Sequence, residues 1–574
     1  MKLGRSLSFV AAGIVLAACA APSGPATSRP VAESGQAPSP AQPKTLAVAV
    51  RYEANDLGAN TVGRRPSPAI KRLFNAGLSL IDGKGQTQLY LASSLPQLNT
   101  GSWRVEPDGR METTYTLKPN LTWQDGQPLT ADDFVFGFHA YTAPGLGIFN
   151  SEPQDRLDSV VATDPGTVVF RWKRLFPDAD KLNDNFPPLP RHLMEGALAA
   201  FEADPTSGEA FYNNPFWTTS YISAGPFKIE SWVQGSELNA TAFAGHALGR
   251  PKIDRLAIKI VPDENTALTN LLAENITLST DFTLRYEHAT VLKREWATNQ
   301  KGSYQLYYAT RHYSFVQFRP EYQKTPSLLD LRVRKGLAHS LDRQVLNDAL
   351  FNGEGFMTET WTPPMYPYFA DVDRVITKYP YDPRQTDRYM SEAGFTKDRE
   401  GFFASATGER FRPDFWVEAG SQFEKELVVI QETWSRSGIE VNPYVLPAAQ
   451  VGDNQARATF PGMATPSFTA NERGYNYYTT SQIGSPENRW AGGNHGAWRN
   501  AEVDQLWVNF NTLLDRGQRD QQIVQMMKIV SEELPMFTHY FNTGVLAHLS
   551  TLRGPDSGTP ETYWLYNVHE WELR

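Results

Sequence analysis

Short apolar runs and helical stripes alternate along the chain from residue 45 onward. Thr45–Val50 is a continuous apolar run, and residues 110–117 alternate between apolar and polar positions, so we predict a strand in each segment. Residues 306–318 form a longer stretch of the same kind that is rich in aromatic side chains. Shorter strands are predicted at residues 160–162, 168–170, 225–229 and 256–261.

Apolar side chains at helical spacing predict several helices, most of them in the second half of the chain. Phe134, Phe138 and Tyr141 form one stripe behind Thr130 and Asp133, which have the spacing of a capping box. Similar stripes and end signals predict helices at residues 328–341, 383–393, 424–437 and 521–533. Helices that alternate with strands in this way favour a mixed α/β fold.

The N-terminus carries the pattern of an export signal. Lys2 and Arg5 precede an apolar run at residues 7–18, which is too short to cross the ~30 Å hydrocarbon core of a bilayer as a helix. Cys19, the only cysteine, closes the string Leu-Ala-Ala-Cys, which resembles the lipobox of bacterial lipoproteins. In that pattern the cysteine is lipidated and becomes the mature N-terminus. The alternative is an ordinary signal peptide that happens to be followed by a cysteine.

Six prolines among small and polar residues follow between residues 20 and 44. Such a segment cannot form a core and is typical of an extended linker. We therefore predict a signal peptide at residues 1–18, a lipidated Cys19 with a Pro-rich tether over 19–44, and a folded body from 45. The protein is then expected in the periplasm or at the cell surface, with the lipid as its only membrane contact.

Composition and motifs exclude several classes of function. The 574 residues include 54 Lys and Arg against 63 Asp and Glu, so a nucleic-acid partner is not expected. The sequence contains no nucleophile elbow, no zinc-protease motif, no P-loop and no dinucleotide fingerprint, and its ten histidines have no metal-ligand spacing. We predict no catalytic residue, no cofactor and no resident metal. An exported hydrolase that uses two carboxylates is the distant alternative.

Six short segments occur in order along the chain, at residues 95–103, 115–134, 224–232, 330–343, 381–395 and 498–504. Together they resemble the extracellular solute-binding protein family 5, the dipeptide-, oligopeptide- and nickel-binding proteins of ABC importers. Most of their residues are typical of turns, caps and helix faces. They therefore indicate the fold and not the ligand-binding site.

The resemblance implies a two-lobed α/β fold, that of the type II periplasmic binding proteins, which encloses its ligand between the lobes. It places lobe I at residues 45–305 with a return at 541–574, lobe II at 306–540, and an extra subdomain within lobe I near residues 80–215. A monomer that closes around a solute and delivers it to an ABC permease and ATPase complex is expected.

Two segments near the expected cleft offer polar and aromatic side chains. The loop after the first strand carries Tyr52, Glu53 and Asn55, and the stretch where the chain first crosses between lobes carries Arg311 and Tyr313. A ligand cleft needs a few convergent polar groups of this kind, so we predict that these residues bind ligand. The alternatives are an ordinary polar loop for the first segment and hinge packing for the second.

A third segment departs from the family pattern. Peptide-binding members carry here an acidic run that receives the amino group of the peptide, whereas residues 460–468 contain no acid. The residues that follow are polar and aromatic, and aromatic rings with amides suit stacking and hydrogen bonding. The predicted ligand contacts of this region are Phe460, Arg473, Trp490, Asn494 and Trp498. The alternatives are core positions for the two tryptophans and a solvated surface charge for the arginine.

The sequence thus predicts a lipid-anchored, non-enzymatic solute-binding protein of an ABC importer. A peptide or peptide-like solute is favoured by the resemblance. A sugar- or opine-like conjugate is the alternative, because the acidic clamp is missing. A chaperone-like or signalling binder on the same fold is a further alternative.

Overall fold

The computed structural model describes residues 43–54, 56–58, 68–144, 146, 152–280, 283–447, 450–469, 471–488, 490–556 and 565–574. The side chains of residues 68–70, 207, 309, 311 and 467–469 are outside this description. The predicted signal peptide, Cys19, almost all of the tether and Asn55 also lie outside the described residues.

The strands of the described residues are short, except for two long ones in the middle of the main sheet. They are β1 (Thr45–Val50), β2 (Ser79–Ile81), β3 (Thr87–Leu89), β4 (Ala92–Ser94), β5 (Trp103–Val105), β6 (Met111–Leu117), β7 (Leu157–Asp164), β8 (Thr167–Trp172), β9 (Phe227–Val233), β10 (Glu237–Ala242), β11 (Arg255–Ile260), β12 (Leu278–Ser279), β13 (Gly302–Val316), β14 (Phe356–Met357), β15 (Thr396–Lys397), β16 (Phe403–Ala404), β17 (Asp414–Glu418), β18 (Asn442–Leu446), β19 (Met463–Thr465), β20 (Ser467–Thr469), β21 (Met536–Leu549), β22 (Leu552–Arg553) and β23 (Glu572–Leu573).

The helices pack on both halves of this sheet. They are α1 (Pro68–Phe74), α2 (Ala131–Thr142), α3 (Arg191–Ala203), α4 (Gly208–Tyr212), α5 (Glu264–Leu272), α6 (Tyr286–Asn299), α7 (Leu331–His339), α8 (Arg343–Phe351), α9 (Phe369–Val375), α10 (Pro383–Glu392), α11 (Ser421–Arg436), α12 (Asn454–Ala458), α13 (Ala501–Phe510) and α14 (Arg516–Glu533). None of the helices in the described ranges combines the length and apolar character needed to cross a membrane.

One continuous sheet joins the two halves of the molecule. Its strand order is β18-β17-β19-β13-β21-β12-β1-β11-β10-β9, with β14 beside β21 and β20 beside β13. The long strands β13 and β21 pair antiparallel from Gly302 opposite Leu549 to Phe315 opposite Met536. β21 continues the sheet through β12 on one side, and β13 continues it through β19 on the other. We call β13 and β21 the crossing strands.

Separate hydrophobic cores lie on the two sides of the crossing strands. In the first half, Phe74 and Trp217 pack with strands β1 and β9 to β11. In the second half, Leu337, Val417 and Trp434 belong to a core of their own. Apolar burial is the main favourable term in folding, so two cores joined by two strands form two lobes.

A smaller five-stranded sheet decorates the first half. Its order is β4-β6-β8-β7, with β5 beside β6. Tyr115, Trp172 and Phe186 are buried in the core beneath it. This sheet lies within residues 80–215, where the extra subdomain is expected. The exact bounds of the subdomain and of the lobes stay predictions.

Several predicted elements are confirmed, with shifted ends. Helix α2 starts after Thr130, whose backbone N–H donates to Asp133 Oδ2 at 2.9 Å. The helix predicted at 328–341 is shorter, because Asp330 accepts a hydrogen bond from the Arg332 backbone N–H at 2.8 Å and caps α7. Helix α14 begins before residue 521, since Asp515 caps it although its first turn lacks an apolar stripe.

Candidate functional site

The carboxyl ends of the strands in the two halves point toward each other. β1 runs parallel to β11 and β12, and these strands end at Val50, Ile260 and Ser279. In the other half, β17 runs parallel to β19, and they end at Glu418 and Thr465. Because β12 and β19 each pair antiparallel with a different crossing strand, the two sets run in opposite directions. Ligands of open α/β sheets bind outside such carboxyl ends, so the gap between them is the candidate site.

A cavity of about 540 Å³ is lined by residues of both halves. This volume is within the ~300–1,000 Å³ that is usual for small-molecule sites. The wall from the first half is mostly charged, and the wall from the second half combines charges with aromatic rings. The lining includes Lys71, Lys84, Asp178, Lys181 and Asp184 on the first side and Tyr366, Glu472, Arg473, Trp507, Phe510 and Arg516 on the second. We call this space the interlobe cavity. The strand-end residues named above are not part of its lining, and Glu418 and Thr465 border a separate cavity of about 20 Å³.

Asp178 connects the two walls of the interlobe cavity. Arg519 of α14 donates to both carboxylate oxygens of Asp178 at 3.2 Å, and Lys181 donates to Oδ1 at 2.9 Å. The Arg519 side chain is only 4% exposed. Burial by itself raises the pKa of Asp178, but the two cations outweigh it and hold that pKa well below its usual range. An ionised Asp178 therefore ties the first half to α14.

Glu472 organises the wall of the second half. Its carboxylate accepts a hydrogen bond from the Tyr368 hydroxyl at 3.0 Å and another from Arg516. Arg516 also contacts Asp520 at 2.8 Å. Burial would lower the pKa of Arg516, and its bond with Glu472 reverses that effect and raises the pKa. Tyr366 stacks on Tyr368 with ring centroids 5.4 Å apart, so a flat aromatic pair stands beside the ion pairs.

Lys71 and Arg473 bring further cationic groups to the interlobe cavity. Burial lowers the pKa of Lys71, while Asp184 and Asp56 oppose that shift. Arg473 is exposed on the opposite wall. The cavity thus combines charges of both signs with aromatic surface. It suits a polar solute that carries both cationic and anionic groups.

Comparison with known proteins shows which family the chain belongs to. Residues 95–488 match the model of the bacterial extracellular solute-binding proteins, family 5 middle region. The chain belongs to this family. The resemblance drawn from the six short segments is therefore confirmed.

Related proteins share nearly the whole body of this family 5 chain. The oligopeptide-binding protein AppA of Bacillus subtilis is 25% identical over 516 residues, which cover 88% of this chain and 87% of AppA. The structure of AppA with a nonapeptide matches with a TM-score of 0.72 at 21% identity, over 93% of this chain and 100% of that one. NikZ from Campylobacter jejuni with Ni(L-His) gives 0.74 at 19% identity, over 92% and 99% of the two chains. The predicted two-lobed fold is confirmed.

The family 5 body places the residues predicted around position 460 in different surroundings. Arg473 lines the interlobe cavity. Phe460 is fully buried and borders a smaller cavity of about 20 Å³. Glu418 and Arg457 also border that smaller cavity, and their closest charged atoms lie 3.2 Å apart. Ligand contact by Phe460 stays a prediction.

The glycine-rich segment after residue 488 is tied to its own lobe. Trp498 is buried, and its Nε1 donates to Glu533 at 3.0 Å. Asn494 is buried as well and donates to the Trp498 carbonyl at 2.8 Å. Trp490 is half-buried, with the Arg319 guanidinium 5.4 Å from the centroid of its ring. These contacts give Trp498 and Asn494 structural roles, and ligand contact by the three residues remains a prediction.

The residues predicted near the first strand and the crossing are also dispersed. Tyr52 is 63% exposed after β1. Glu53 accepts hydrogen bonds from Trp232 Nε1 at 2.8 Å and from the Gly235 backbone N–H at 2.9 Å. Tyr313 is buried in a core of the second half. Asn55 and the side chain of Arg311 lie outside the described residues.

Apart from Arg473, sequence patterns did not point to the charged groups of the interlobe cavity. Asp178 and Arg519 are 341 positions apart, and no local pattern connects them. The one local pattern that marks this region is the group of three charges at Asp178, Asp180 and Lys181. Charge runs of this kind are common on solvated loops, so the pattern does not indicate a binding site.

One group of acids with a histidine has the spacing of metal ligands among the described residues. The ligand atoms of Glu264, Glu287 and His288 lie within 4.8 Å of one another. Both Arg51 and Arg285 already bond Oε1 of Glu264, the latter at 2.9 Å. Two cations at one carboxylate favour an ion-pair cluster over a metal centre.

Proposed function

We propose that this protein captures a peptide or peptide-like solute between its two lobes and delivers it to the permease and ATPase of an ABC importer. The observation that carries the proposal is the interlobe cavity, which offers charges of both signs beside aromatic rings. AppA, the relative named above, is an oligopeptide-binding protein. A "putative ABC transporter peptide-binding protein" of Brucella ovis is 27% identical over 300 residues, which cover 52% of this chain and 51% of that protein.

The lobes are proposed to be residues 45–305 with 541–574 and residues 306–540. These boundaries fall within or beside the crossing strands, which link the two cores. Closure about such a link would bring the cavity walls together around a solute, as in hinge closure of binding proteins. The function involves no covalent change in the solute, so no enzymatic turnover is expected.

A sugar- or opine-like conjugate is the second candidate. The observation that favours it is the absence of an acid from residues 460–468, where peptide-binding members have one. Aromatic rings such as Tyr366 and Trp507 at the cavity wall suit stacking on a ring of the solute.

A ligand screen tests both candidates. The purified full-length Cys19→Ser protein is heated with peptides, opines, oligosaccharides and metal chelates in turn. A true ligand at 100 times its Kd adds about 2.7 kcal/mol of stability and raises the unfolding temperature. If none of the peptides raises it and an opine or oligosaccharide does, the peptide proposal is wrong and the second candidate holds.

A variant of the cavity wall locates the site. Arg473→Ala is expected to weaken binding of the screened ligand in calorimetry by about tenfold or more, since a charge-assisted hydrogen bond is worth about 1.5–3 kcal/mol. Arg388→Ala, which removes a 53% exposed arginine from α10, is the matched control and should leave affinity unchanged. Equal affinities of the two variants would place the solute elsewhere.

The lipid anchor is also a proposal. Cys19 closes the string that resembles a lipobox. Each buried methylene of an acyl chain contributes about 0.8 kcal/mol, so two or more chains hold a folded body at a membrane. Cys19→Ser is expected to move the protein from the membrane fraction to the soluble fraction. Unchanged membrane fractionation would contradict lipidation at this residue.

A further inference from the structure

A group of buried polar side chains connects both crossing strands to helix α11. His312 lies on β13, His539 and Tyr540 lie on β21, and Glu426 lies on α11. Together with Ser314 of β13, each of these residues is at most 2% exposed. We call these five residues the hinge cluster.

One carboxylate is the centre of the hinge cluster. Nδ1 of His312 lies 3.0 Å from Glu426 Oε2, Nδ1 of His539 lies 2.5 Å from Oε1, and the Tyr540 hydroxyl donates to Oε2 at 2.9 Å. Burial raises the pKa of Glu426, but the two imidazoles outweigh it and lower the value to about 2. An ionised carboxylate only accepts hydrogen bonds, so both imidazoles donate to it through Nδ1–H.

The Nε2 atoms of His312 and His539 are the imidazole nitrogens that do not bond Glu426. Nε2 of His539 lies 2.9 Å from Ser314 Oγ, which lies 2.8 Å from Thr465 Oγ1. Nε2 of His312 is buried and has no hydrogen-bond partner in the part of the chain that the structure describes. Because His539 already donates Nδ1–H to Glu426, a proton added at its Nε2 makes the ring a buried cation. Burial disfavours that charged form and lowers the pKa of His539.

Charged groups around the hinge cluster also oppose protonation of His539. Arg343 of α8 acts on His539, and burial and Arg343 both lower the pKa of that imidazole. Arg285, at the start of α6, acts on Tyr540. Glu426 raises the pKa of His539, and outside the cluster Glu359 acts on Arg343. Burial and the neighbouring cationic groups outweigh these acids, so the pKa of His539 is lowered overall.

The hinge cluster lies where the crossing strands depart from regular pairing. The register of β13 against β21 shifts between Tyr308 and Thr310 and again between His312 and Tyr313. Bulges of this kind bend a strand and increase its twist. Movement of one lobe against the other must pass through these two strands, because they join the halves of the sheet.

We propose that the hinge cluster is a proton-sensitive lock on lobe movement. The hydrogen bonds of His312, His539 and Tyr540 to Glu426 hold both crossing strands to α11, and protonation of His539 at Nε2 loosens them and favours the open arrangement of the lobes. This goes beyond solute capture and needs no cargo.

Proton linkage determines whether a fall in pH favours the open or the closed arrangement of the lobes. Burial lowers the pKa of His539 below 6.5, the value of a solvated imidazole, so an arrangement that admits water to His539 binds the proton at Nε2 more tightly. The lock is complete above about pH 6.5 and weakens as the pH falls below it. Each unit of difference in pKa between the two arrangements changes the open-to-closed ratio about tenfold.

A distance measurement between the lobes tests the lock. The full-length Cys19→Ser protein has no other cysteine. Spin labels are attached to cysteines that replace Val233 of β9 and Val508 of α13, which are 60% and 50% exposed. Without added solute, the population at the longer distance is expected to rise up to about tenfold between about pH 7.5 and about pH 5.5. An unchanged distribution, or a shift toward the shorter distance, would overturn the proposal.

A histidine variant assigns the effect to the hinge cluster. His539→Gln keeps a group that can donate to Glu426 and removes the titrating ring, so the pH-dependent shift should disappear. The control is His139→Gln, whose histidine is 59% exposed, and it should respond as the parent protein does. A full response in His539→Gln would overturn the proposal. If that variant does not fold, the distance measurement on the parent protein decides alone.

Discussion

The hinge cluster and the interlobe cavity both hold a carboxylate with a lowered pKa, but their partners differ in kind. In the hinge cluster, two imidazoles bond Glu426. In the cavity, Lys181 and Arg519 bond Asp178. Lysine and arginine keep their charge throughout the physiological range of pH, whereas imidazoles exchange protons near neutrality. A solute would therefore meet a constant charge at Asp178 and its two cationic partners, while the proposed lock between the lobes responds to pH.

The two regions also differ in their exposure to water. Glu426 is completely buried, whereas the Asp178 side chain is 31% exposed. A buried ion pair is costly to break, because the partner left behind is an uncompensated charge, whereas water screens an exposed pair. The hinge cluster should therefore dominate stability, and the cavity groups should affect stability less.

The largest effect is expected from Glu426→Ala. The change leaves two buried imidazoles and a phenol without their acceptor, and breaking a buried pair in this way costs about 3–5 kcal/mol. Urea denaturation measures the free energy of unfolding. Glu432→Ala on the same helix is the control, since Glu432 is 56% exposed and pairs with Arg436 one turn away. Its loss should be no more than about 0.5 kcal/mol. Equal losses of stability in the two variants would contradict the expected difference between a buried and an exposed acid.

A buried imidazole outside both regions also contributes to pH dependence. His246 contacts the Tyr90 hydroxyl at 2.8 Å and has no carboxylate partner among its hydrogen bonds in the described chain. Burial lowers its pKa to about 4. Its contribution is fully present above about pH 6.5 and is lost as the pH falls through about 4, about 3 kcal/mol in all.

His246→Gln is therefore expected to flatten the stability profile between these two pH values. The profile is measured by urea denaturation at several pH values, with His139→Gln as the exposed control. If the slope survives unchanged in His246→Gln, the acid sensitivity lies elsewhere, and the hinge cluster becomes its main source.

The sequence predicted the fold more completely than the site. The capping-box spacing at Thr130 and the end signals of the helix predicted at 383–393 indicated two helix starts. In the structure, Thr130 and Asp382 stand at the N-caps of these helices. These signals are local, because a cap and its helix lie within a few positions of each other. The long strand predicted at 306–318 was recognised from its continuous apolar and aromatic residues, and the structure has it at Gly302–Val316.

The interlobe cavity could not be predicted in the same way. Its walls come from residues 71–185 and 365–516, and only the folded chain brings these two stretches together. The same holds for the hinge cluster, since His312 and Glu426 are 114 positions apart. Of the aromatic residues proposed from sequence, Trp498 proved to be buried and bonded to Glu533, which no local pattern reveals.

A smaller loss is expected from Arg519→Gln. This change removes two hydrogen bonds to Asp178 and one to the Phe510 carbonyl. Asp178 keeps Lys181 and is itself 31% exposed, so the expected cost is about 2 kcal/mol. The bond joins the two halves, so the distance measurement between Val233 and Val508 should also show more of the open arrangement. Arg294→Gln, at a 73% exposed position on α6, is the control. A normal distance distribution in Arg519→Gln would show that this pair does not restrain the lobes.

The smallest effect is expected from Arg516→Gln, three positions earlier on the same helix. Arg516 is 42% exposed, and Glu472 keeps its bond from Tyr368 when the guanidinium is removed. An exposed pair contributes about 0.2–1 kcal/mol, so stability should change little. Affinity should change more, because Glu472 then presents an unbalanced negative charge to the cavity. A solute with an anionic group should bind more weakly and a cationic one more tightly in calorimetry. If stability fell as far as in Arg519→Gln while affinity stayed constant, Arg516 would be a structural residue. It would then not belong to the part of the cavity that binds the solute.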